Sequence, residues 1–310
     1  QGQNYDRAAA AYDRAAKLST RDGKLYLKLS STLRSLGQQK DAFEAAKHAA
    51  ALLPNDADAQ GRYGLLLKAE KQRPAALQAL RRANQLRRDD RLYFMALVDM
   101  ELDTLQMDQA ERDLRDFMTR HPDDPEANFR MAVVYNQKPR TPENMKTAIR
   151  YAEKALPGLS TDARPYTVLG QLYLDSNRPK DALQLYLIGH QVAPNAESIL
   201  RGLGDCYSRL GRTKEMALVS EEYRRVLTRH DRIDHLTHVM SFNHNDIASG
   251  LELARLSEEE GLLGKAQQYY EQLVRQAPKD ARTRKALSGF YTRQGRPDLG
   301  KRALDPAFLP

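Results

Sequence analysis

Small residues recur at a fixed distance along the chain, each within an apolar helical pattern and once replaced by methionine. This column consists of Ala8, Ala42, Ala76, Ala110, Ala148, Ala182, Met216, Ala266 and Gly300. Six of the eight steps between its members are 34 residues long, and the other two are 38 and 50 residues long. Because a fixed period of this length marks stacked supersecondary elements, the pattern predicts an array of similar structural repeats.

Three more columns share this period. A large apolar residue is found at Leu29, Tyr63, Leu97, Met131, Leu169, Leu203, Leu253 and Leu287. A mostly small residue follows it at Ser30, Gly64, Val98, Ala132, Gly170, Gly204, Ala254 and Ser288. Tyrosine comes four residues after the large residue at Tyr135, Tyr173, Tyr207 and Tyr291, whereas Leu33, Leu67, Glu101 and Ser257 depart. A large residue beside a small one lets two helices approach closely, so each repeat is predicted to be a helix A packed antiparallel on a helix B.

Glycine and proline mark the ends of these helices. We expect the turns between helix A and helix B at Gly37, Gly211, Gly261 and Gly295, where a positive φ favours glycine. Helix B is expected to end before Pro54, Pro122, Pro194 and Pro278, because proline cannot continue the hydrogen-bond ladder. The sequence therefore predicts an all-α fold.

One repeat reads Tyr166-x-x-Leu169-Gly170-x-x-Tyr173, then Ala182-x-x-x-Tyr186, then Pro194. This pattern resembles the tetratricopeptide repeat (TPR), whose motif is W-x2-L-G-x2-Y, then A-x3-F, then P. The first motif position is never Trp here. The resemblance covers nearly the whole chain, and it implies a right-handed superhelical solenoid of antiparallel helix pairs with about eight repeats plus an N-terminal half repeat.

The two longer steps divide the predicted array. Residues 1–230 are expected to hold the half repeat and six repeats, residues 231–246 an irregular helical insertion that could act as a hinge, and residues 247–310 two further repeats. In the insertion, Ile233, Leu236, Val239 and Met240 have helical spacing, which predicts an extra helix followed by a loop from Asn243 to Asp246. Because the chain starts inside a repeat and shows no polar capping helix, we expect a piece of a longer protein or a partner that covers one end.

The 38-residue step has four extra residues in an A–B turn, around residues 137–142. Thr141 is a good N-cap and Pro142 a good first helical residue. Two interpretations stay open for this turn: a neutral surface insertion, which we favour, or a protruding contact loop.

Composition leaves the compartment open. The formal charge of +8 would favour an acidic partner or an anionic surface without defining a site. Cys206 is the only cysteine, so no internal disulfide can form, which fits the cytoplasm and equally a periplasmic protein without disulfides. No apolar run approaches the roughly 20 residues that span a bilayer. We slightly favour the periplasm, since a leader could have preceded Gln1.

The sequence gives only weak signals for a metal site, a catalytic cysteine or a nucleic-acid surface. His235 and His238 are three residues apart on a predicted helix and could share a metal ion, but exposed histidines are the interpretation we favour, as they are for His230 and His244. Cys206 lies at a packing position of a helix A, where it behaves as a small hydrophobe rather than a nucleophile. Basic clusters such as Arg224 and Arg225 are read as a solvated face, because no exposed aromatic residues are interleaved with them. We therefore predict no enzyme, no cofactor and no nucleic-acid partner.

The resemblance implies a concave groove lined by the A helices, in which peptides or partner helices commonly lie. The predicted groove residues are Arg34, Lys68, Asp99, Asn136, Arg164, Gln171, Asp175, Arg201, Asp205, Arg209 and Arg255, together with Asp103, Gln137, Arg282 and Lys285. The group formed by Asp175, Arg201, Asp205 and Arg209 could be a polar groove for a mixed-charge ligand or a set of mutual ion pairs, and both interpretations stay open.

Some relatives in this family bind the acidic C-termini of chaperones through a Lys and an Asn four residues apart. The corresponding pairs here include Arg201 with Asp205 and Lys285 with Gly289, and none of the eight pairs matches. The predicted partner is therefore another protein or peptide.

Three hypotheses follow. The first is a non-catalytic protein-interaction scaffold within a larger bacterial protein, such as the periplasmic part of an exopolysaccharide export protein. The second is a substrate-recruiting domain of an enzyme, for example a glycosyltransferase. The third is an RNA- or anion-binding array. Fold alone does not choose between them.

Overall fold

The computed structural model describes residues 2–88 and 90–308, and it leaves out the side chains of residues 2–7, 16 and 17. In these ranges the chain forms 17 α-helices and one 3-10 segment, Leu156–Leu159, without a β-strand. In chain order, eight A helices alternate with B helices, and one further B helix comes first. The predicted all-α array of eight repeats plus a half repeat is therefore confirmed.

The helices divide between two compact bodies, the N-terminal body Gln1–Arg178 and the C-terminal body Pro179–Pro310. The N-terminal body has the A helices α2 (Gly23–Ser35), α4 (Ala57–Ala69), α6 (Arg91–Asp103), α8 (Pro125–Gln137) and α10 (Ala163–Asp175) and the B helices α1 (Gly2–Leu18), α3 (Gln39–Leu52), α5 (Arg73–Leu86), α7 (Met107–Arg120) and α9 (Pro142–Ala155). The C-terminal body has the A helices α12 (Glu197–Arg209), α14 (Ile247–Glu259) and α16 (Ala281–Arg293) and the B helices α11 (Pro179–Val192), α13 (Thr213–Phe242), α15 (Leu263–Gln276) and α17 (Pro297–Ala303). The hinge proposed for residues 231–246 stays a prediction.

Aspartate starts almost every A helix. Its carboxylate accepts hydrogen bonds from backbone N–H groups of the first turn at Asp22, Asp56, Asp90, Asp124, Asp162, Asp246 and Asp280. These bonds satisfy donors that have no partner inside the helix. Helix α12 is the exception, because its N-cap is Ala196, which has the extended backbone of a cap but no side chain to accept a bond.

Seven of the eight A–B turns in the described ranges share one backbone conformation, and the longer turn between α8 and α9 differs from them. The four predicted glycines have φ between 69° and 75°, which confirms their role. The equivalent turns of three other repeats place Lys71, Leu105 and Asn177 at φ between 56° and 59°. Non-glycine residues are strained in this region, so the fold imposes the turn even where the sequence does not favour it.

Within each body, the small column lies at the contact between paired helices. Ala42, Ala76, Ala110, Ala148 and Ala266 are all completely buried there, and Ala182 of α11 is buried as well. In the neighbouring small column, Ser30 donates a hydrogen bond to the carbonyl of Ala42 at 2.8 Å, and a Cβ on Gly64 would lie 2.8 Å from Leu80. The prediction of a close helix approach is wrong at Gly204, because a Cβ on this residue would meet nothing within 4 Å.

The insertion at 231–246 lengthens a helix instead of adding one. Helix α13 runs unbroken for 30 residues from Thr213 to Phe242, so the prediction of a separate extra helix is wrong. No Gly or Pro interrupts this stretch, and Leu236 packs against Leu253 and Leu256 of α14. The predicted loop follows, and α14 begins after Asp246.

The long helix shifts the last two repeats within the C-terminal body. The 16 added residues correspond to about 24 Å of helix at 1.5 Å per residue. The amide of Asn195, just before α12, therefore donates to the carbonyl of Glu259 at the end of α14. His230 of α13 lies beside this contact, because its Nδ1 is 2.6 Å from Glu197 of α12 and its Nε2 is 3.2 Å from Glu260, which follows α14.

The turn between α8 and α9 is fastened to both neighbouring repeats. Thr141 accepts a hydrogen bond from the backbone N–H of Asn144, as predicted for an N-cap. Lys138 forms an ion pair with Glu111 of α7, and Arg140 forms one with Asp175 of α10 at 3.0 Å. The inserted turn therefore contacts both neighbouring repeats, and its role as a neutral insertion or as a contact loop stays a prediction.

Candidate functional site

The predicted groove residues of the N-terminal body lie on one side of its A helices, which we call the A face. On this face Asp99 of α6 accepts from both neighbouring helices. Lys68 of α4 donates to its Oδ2 at 2.6 Å, and Arg130 of α8 donates to its Oδ1 at 2.8 Å. One carboxylate thus joins three successive A helices.

The series continues towards α10. Arg130 also pairs with Glu126 one turn earlier in α8, and Arg164 of α10 donates to Glu126 Oε1 at 2.8 Å. Arg164 then binds its own N-cap Asp162 at 2.7 Å. We call these six residues the ladder: Lys68, Asp99, Arg130, Glu126, Arg164 and Asp162. It crosses four A helices, or roughly 30 Å at about 10 Å per helix pair.

The ladder is balanced in charge, with three cations and three carboxylates. Arg130 is 7% exposed, and its two carboxylate partners satisfy its charge in this buried position. Burial alone would raise the pKa of Asp162, but its hydrogen bond with Arg164 holds that pKa below its usual value. The same pair raises the pKa of Arg164. Asp162 and Arg164 therefore stay ionised, and the ladder links side chains of four successive A helices in one network.

The other predicted residues of this face surround the ladder. Arg34 is exposed at one end, and Asn136 is half-buried on α8. Gln171 donates to Asp175 Oδ1 at 2.8 Å, and the other oxygen of Asp175 pairs with Arg140. Half-buried apolar residues lie between these polar groups on the same helices: Leu65, Leu102 and Val133. Charge-balanced ion pairs, amide groups and apolar side chains thus alternate along the A face.

The predicted groove residues of the C-terminal body are more dispersed. Arg201, Asp205 and Arg209 are exposed along one side of α12. Arg255 of α14 pairs with Glu259 one turn later at 2.8 Å. Beside it, a cleft of about 580 Å³ lies between α14 and α16, where Glu258 accepts two hydrogen bonds from Arg293 at 2.7 and 2.8 Å. Whether these residues bind a ligand stays a prediction.

A recurring tyrosine–glutamate hydrogen bond between repeats was not predicted from the sequence. Tyr173 donates to Glu153 at 2.6 Å, and Tyr291 donates to Glu271 at 2.7 Å, in each case 20 residues earlier. Glu101 replaces this tyrosine in its repeat, and Arg81, again 20 residues earlier, replaces the glutamate and binds it at 3.1 Å. The departure of Glu101 from the tyrosine column was the available signal.

The cysteine and the paired histidines of the sequence analysis do not form a chemical site among the described residues. Cys206 is fully buried, and burial raises the pKa of its thiol to about 12, so the predicted packing role is confirmed. His235 and His238 are both exposed on α13, and His238 packs edge-on against Phe242. Among the described residues, no three His, Cys, Asp or Glu side chains stand close enough to hold a metal ion. No helix in the same ranges is both long and apolar enough to cross a membrane.

No protein-family model matches the chain, and the curated proteins contain no match either. Solved structures of similar fold are found at low sequence identity. YrrB, described as a TPR protein with an unusual peptide-binding site, has a TM-score of 0.50 and 17% identity over 62% of this chain and 97% of that one. The fold is that of the tetratricopeptide repeat.

Two larger structures are also similar to this TPR-type fold. The APC/C hetero-tetramer Cut9–Hcn1 has a TM-score of 0.55 and 15% identity, covering 81% of this chain and 46% of that one. The human IFIT1 dimer with PPP-AAAA has a TM-score of 0.53 and 15% identity, covering 90% and 70%. At these identities the likeness concerns the fold alone.

Proposed function

We propose that this chain is a non-catalytic protein-interaction scaffold, and that its A face binds a segment of a partner protein or peptide. The observation that carries the proposal is the ladder, which crosses four consecutive A helices and fixes their side chains. A surface organised before binding loses little side-chain freedom when a partner arrives, and this favours affinity.

The composition of the A face indicates the kind of segment. Its cations Lys68, Arg130 and Arg164 are already paired, so a strongly acidic peptide would have to compete with internal carboxylates. The side chains left to a partner are the amide of Asn136 and apolar groups such as Val133. An extended strip of roughly 30 Å accommodates about nine residues at about 3.3 Å each. A mixed, moderately apolar peptide fits this surface best.

The peptide-binding site named for YrrB supports the proposal by analogy of fold. The RNA alternative has less support, because Arg225, Arg229 and Arg232 in the α13 basic cluster each pair with a glutamate. The context of bacterial exopolysaccharide secretion and the periplasmic location rest on the sequence resemblance and remain part of this proposal. An enzyme that uses the array to recruit its substrate is the alternative. A catalytic domain found in the same gene product would favour this alternative.

The proposal is tested by affinity purification from cells that produce the full-length protein. Val133→Glu combined with Asn136→Glu places two charges on the A face, and Lys146→Glu on α9 is the control on an exposed B-helix position. We expect recovery of a direct partner to fall about tenfold, or about 1.4 kcal/mol of binding free energy, for the A-face variant alone. Equal recovery with a folded A-face variant, judged by its thermal unfolding, would overturn the proposal.

A further inference from the structure

A second surface lies on the B-helix side of the N-terminal body. Between α3 and α5 is an open cleft of about 870 Å³, floored by Tyr63 and Gln60 of α4. From α3 it is lined by Lys47, Ala50, Ala51 and, just beyond the helix, Pro54. Ala50 and Ala51 follow Lys47 by three and four residues, so the three side chains lie on a single face of α3. We call this feature the α3–α5 cleft.

The sequence of α3 explains why the cleft is open. Alanines face α5 where larger side chains would fill the space, and Pro74 and Ala75 on the opposite wall are also short. Beneath them, Tyr63 packs on Phe43 with ring centroids 5.7 Å apart, which gives the cleft a firm apolar floor. The lined stretch of α5 from Pro74 to Gln85 corresponds to roughly 16 Å, or about three helical turns.

The charge of the cleft is one-sided. In the part of the chain that the structure describes, no Asp or Glu lines the cleft, whereas Lys47, Arg81 and Arg82 do. Arg81 donates to the carboxyl group of Glu101 at 3.1 Å and to Gln106 Oε1 at 2.6 Å. Among the described residues, Arg82 is held by neutral acceptors, the side chain of Asn55 and, at 3.3 Å, the carbonyl of Pro54, so its positive charge lies at the rim without a carboxylate partner there. Lys47 lies 3.7 Å from Glu44, and both side chains are more than half exposed.

We propose that the α3–α5 cleft binds an apolar segment of a partner protein that carries Asp or Glu beside its apolar residues. The apolar floor takes the apolar side chains, and Arg82 with Lys47 binds the carboxylates at the rim. An apolar groove between two helices, three turns long, matches the dimensions of an amphipathic helix laid into it. This surface is separate from the A face, and it selects an acidic ligand where the charge-balanced A face does not.

The test is a selection from a display library of short random peptides against the purified chain. Enriched peptides are expected to combine Leu, Ile or Phe with Asp or Glu. Their affinity should fall about tenfold or more for Arg82→Glu, which reverses the rim charge, and for Ala51→Trp, which fills the cleft from an exposed position. Arg112→Glu and Ala69→Trp, both exposed and outside the cleft, are the matched controls and should bind as the wild type does.

Three results would overturn this proposal: no enriched acidic–apolar peptide, enriched peptides that bind Ala51→Trp as tightly as the wild type, or enrichment of basic peptides. The A-face variant Val133→Glu with Asn136→Glu separates the two surfaces. Peptides that lose affinity for that variant but keep it for Arg82→Glu support the A face and exclude the cleft, and the reverse result excludes the A face for those peptides.

Discussion

The ring of Tyr186 occupies the space in which a side chain at Gly202 would stand. A Cβ on Gly202 would lie 2.2 Å from Cζ of this ring, and Tyr186 itself is only 1% exposed. The tyrosine belongs to α11 and the glycine to α12, so the contact joins successive repeats of the C-terminal body. Two residues later on the same helix, Gly204 faces open space.

These two glycines provide a matched pair of substitutions. Gly202→Ala should destabilise the protein by about 2 kcal/mol, because it forces a buried ring to move. Gly204→Ala should stabilise it by up to about 1 kcal/mol, because alanine is the better helix former and meets no neighbour there. Urea unfolding of both variants measures the difference. Similar free energies of unfolding for the two variants would contradict the packing at Tyr186.

The missing cap of α12 predicts a stabilising substitution. Ala196 has φ −74° and ψ 110°, an extended backbone like that of most aspartate caps of the other A helices, but its methyl side chain cannot accept a hydrogen bond from the first turn. Ala196→Asp should therefore raise the free energy of unfolding by about 1 kcal/mol. The reciprocal control, Asp56→Ala, removes an existing cap on α4 and should lower it by a similar amount. If Ala196→Asp lowers the thermal midpoint, the cap assignment at α12 is wrong.

Glu101 predicts a pH dependence of stability. The carboxyl is fully buried, and burial, followed by the nearby Asp113, raises its pKa to about 7, although Arg81 opposes the shift. Since this exceeds the usual value of 4.5, folding favours the protonated form. The stabilisation is complete below about pH 4.5 and is lost as the pH rises through about 7, a change of roughly 3 kcal/mol.

Glu101→Gln keeps the shape of this side chain and removes its titration. We expect the fall in unfolding free energy between about pH 4.5 and about pH 8 to become correspondingly smaller in this variant. The exposed Glu44→Gln serves as the control and should leave the pH profile unchanged. An unaltered pH profile for Glu101→Gln would show that the carboxyl is ionised in the folded protein.

Arg284 fastens the end of the C-terminal body. Its side chain is 4% exposed and donates to the carbonyl oxygens of Pro278, Ala303, Asp305, Pro306 and Phe308. Arg284→Ala leaves these acceptors unpaired and should cost at least about 3 kcal/mol. It should also expose the bond after Leu304 to limited proteolysis. Arg282→Ala is the control, since exposed Arg282 binds only Asp280 among the described residues. Equal proteolysis of both variants would contradict this role.

The repeated parts of the fold were predictable because each repeat makes the same demand on the backbone. The buried alanine column and the four turn glycines follow from spacing alone. Lys71 and Leu105 adopt the same turn without any local preference, so only the array reveals it. The length of α13 was not predicted, because helical spacing at Leu236 does not say whether a helix continues from the one before it.

The candidate site was predicted in part. Lys68, Asp99 and Arg164 were selected by their positions in the repeat, and all three belong to the ladder. Arg130, which links them, was missed because it lies at a buried position where a cation is not expected. Opposite charges 31 residues apart, as from Lys68 to Asp99 and from Asp99 to Arg130, were the signal in the sequence. The pairing itself depends on how neighbouring repeats stack.

Site-specific photo-cross-linking shows directly whether a partner protein contacts the A face. A photoreactive amino acid is placed at Val133 on the A face, or at Lys146 on α9, in the full-length protein in its own cells. If the A face binds a partner protein, the Val133 position gives one discrete adduct with it, and Lys146 does not give this adduct. Mass spectrometry then locates the link in a mixed apolar and polar segment of the partner. Adducts from Lys146 and none from Val133 would contradict a binding role for the A face.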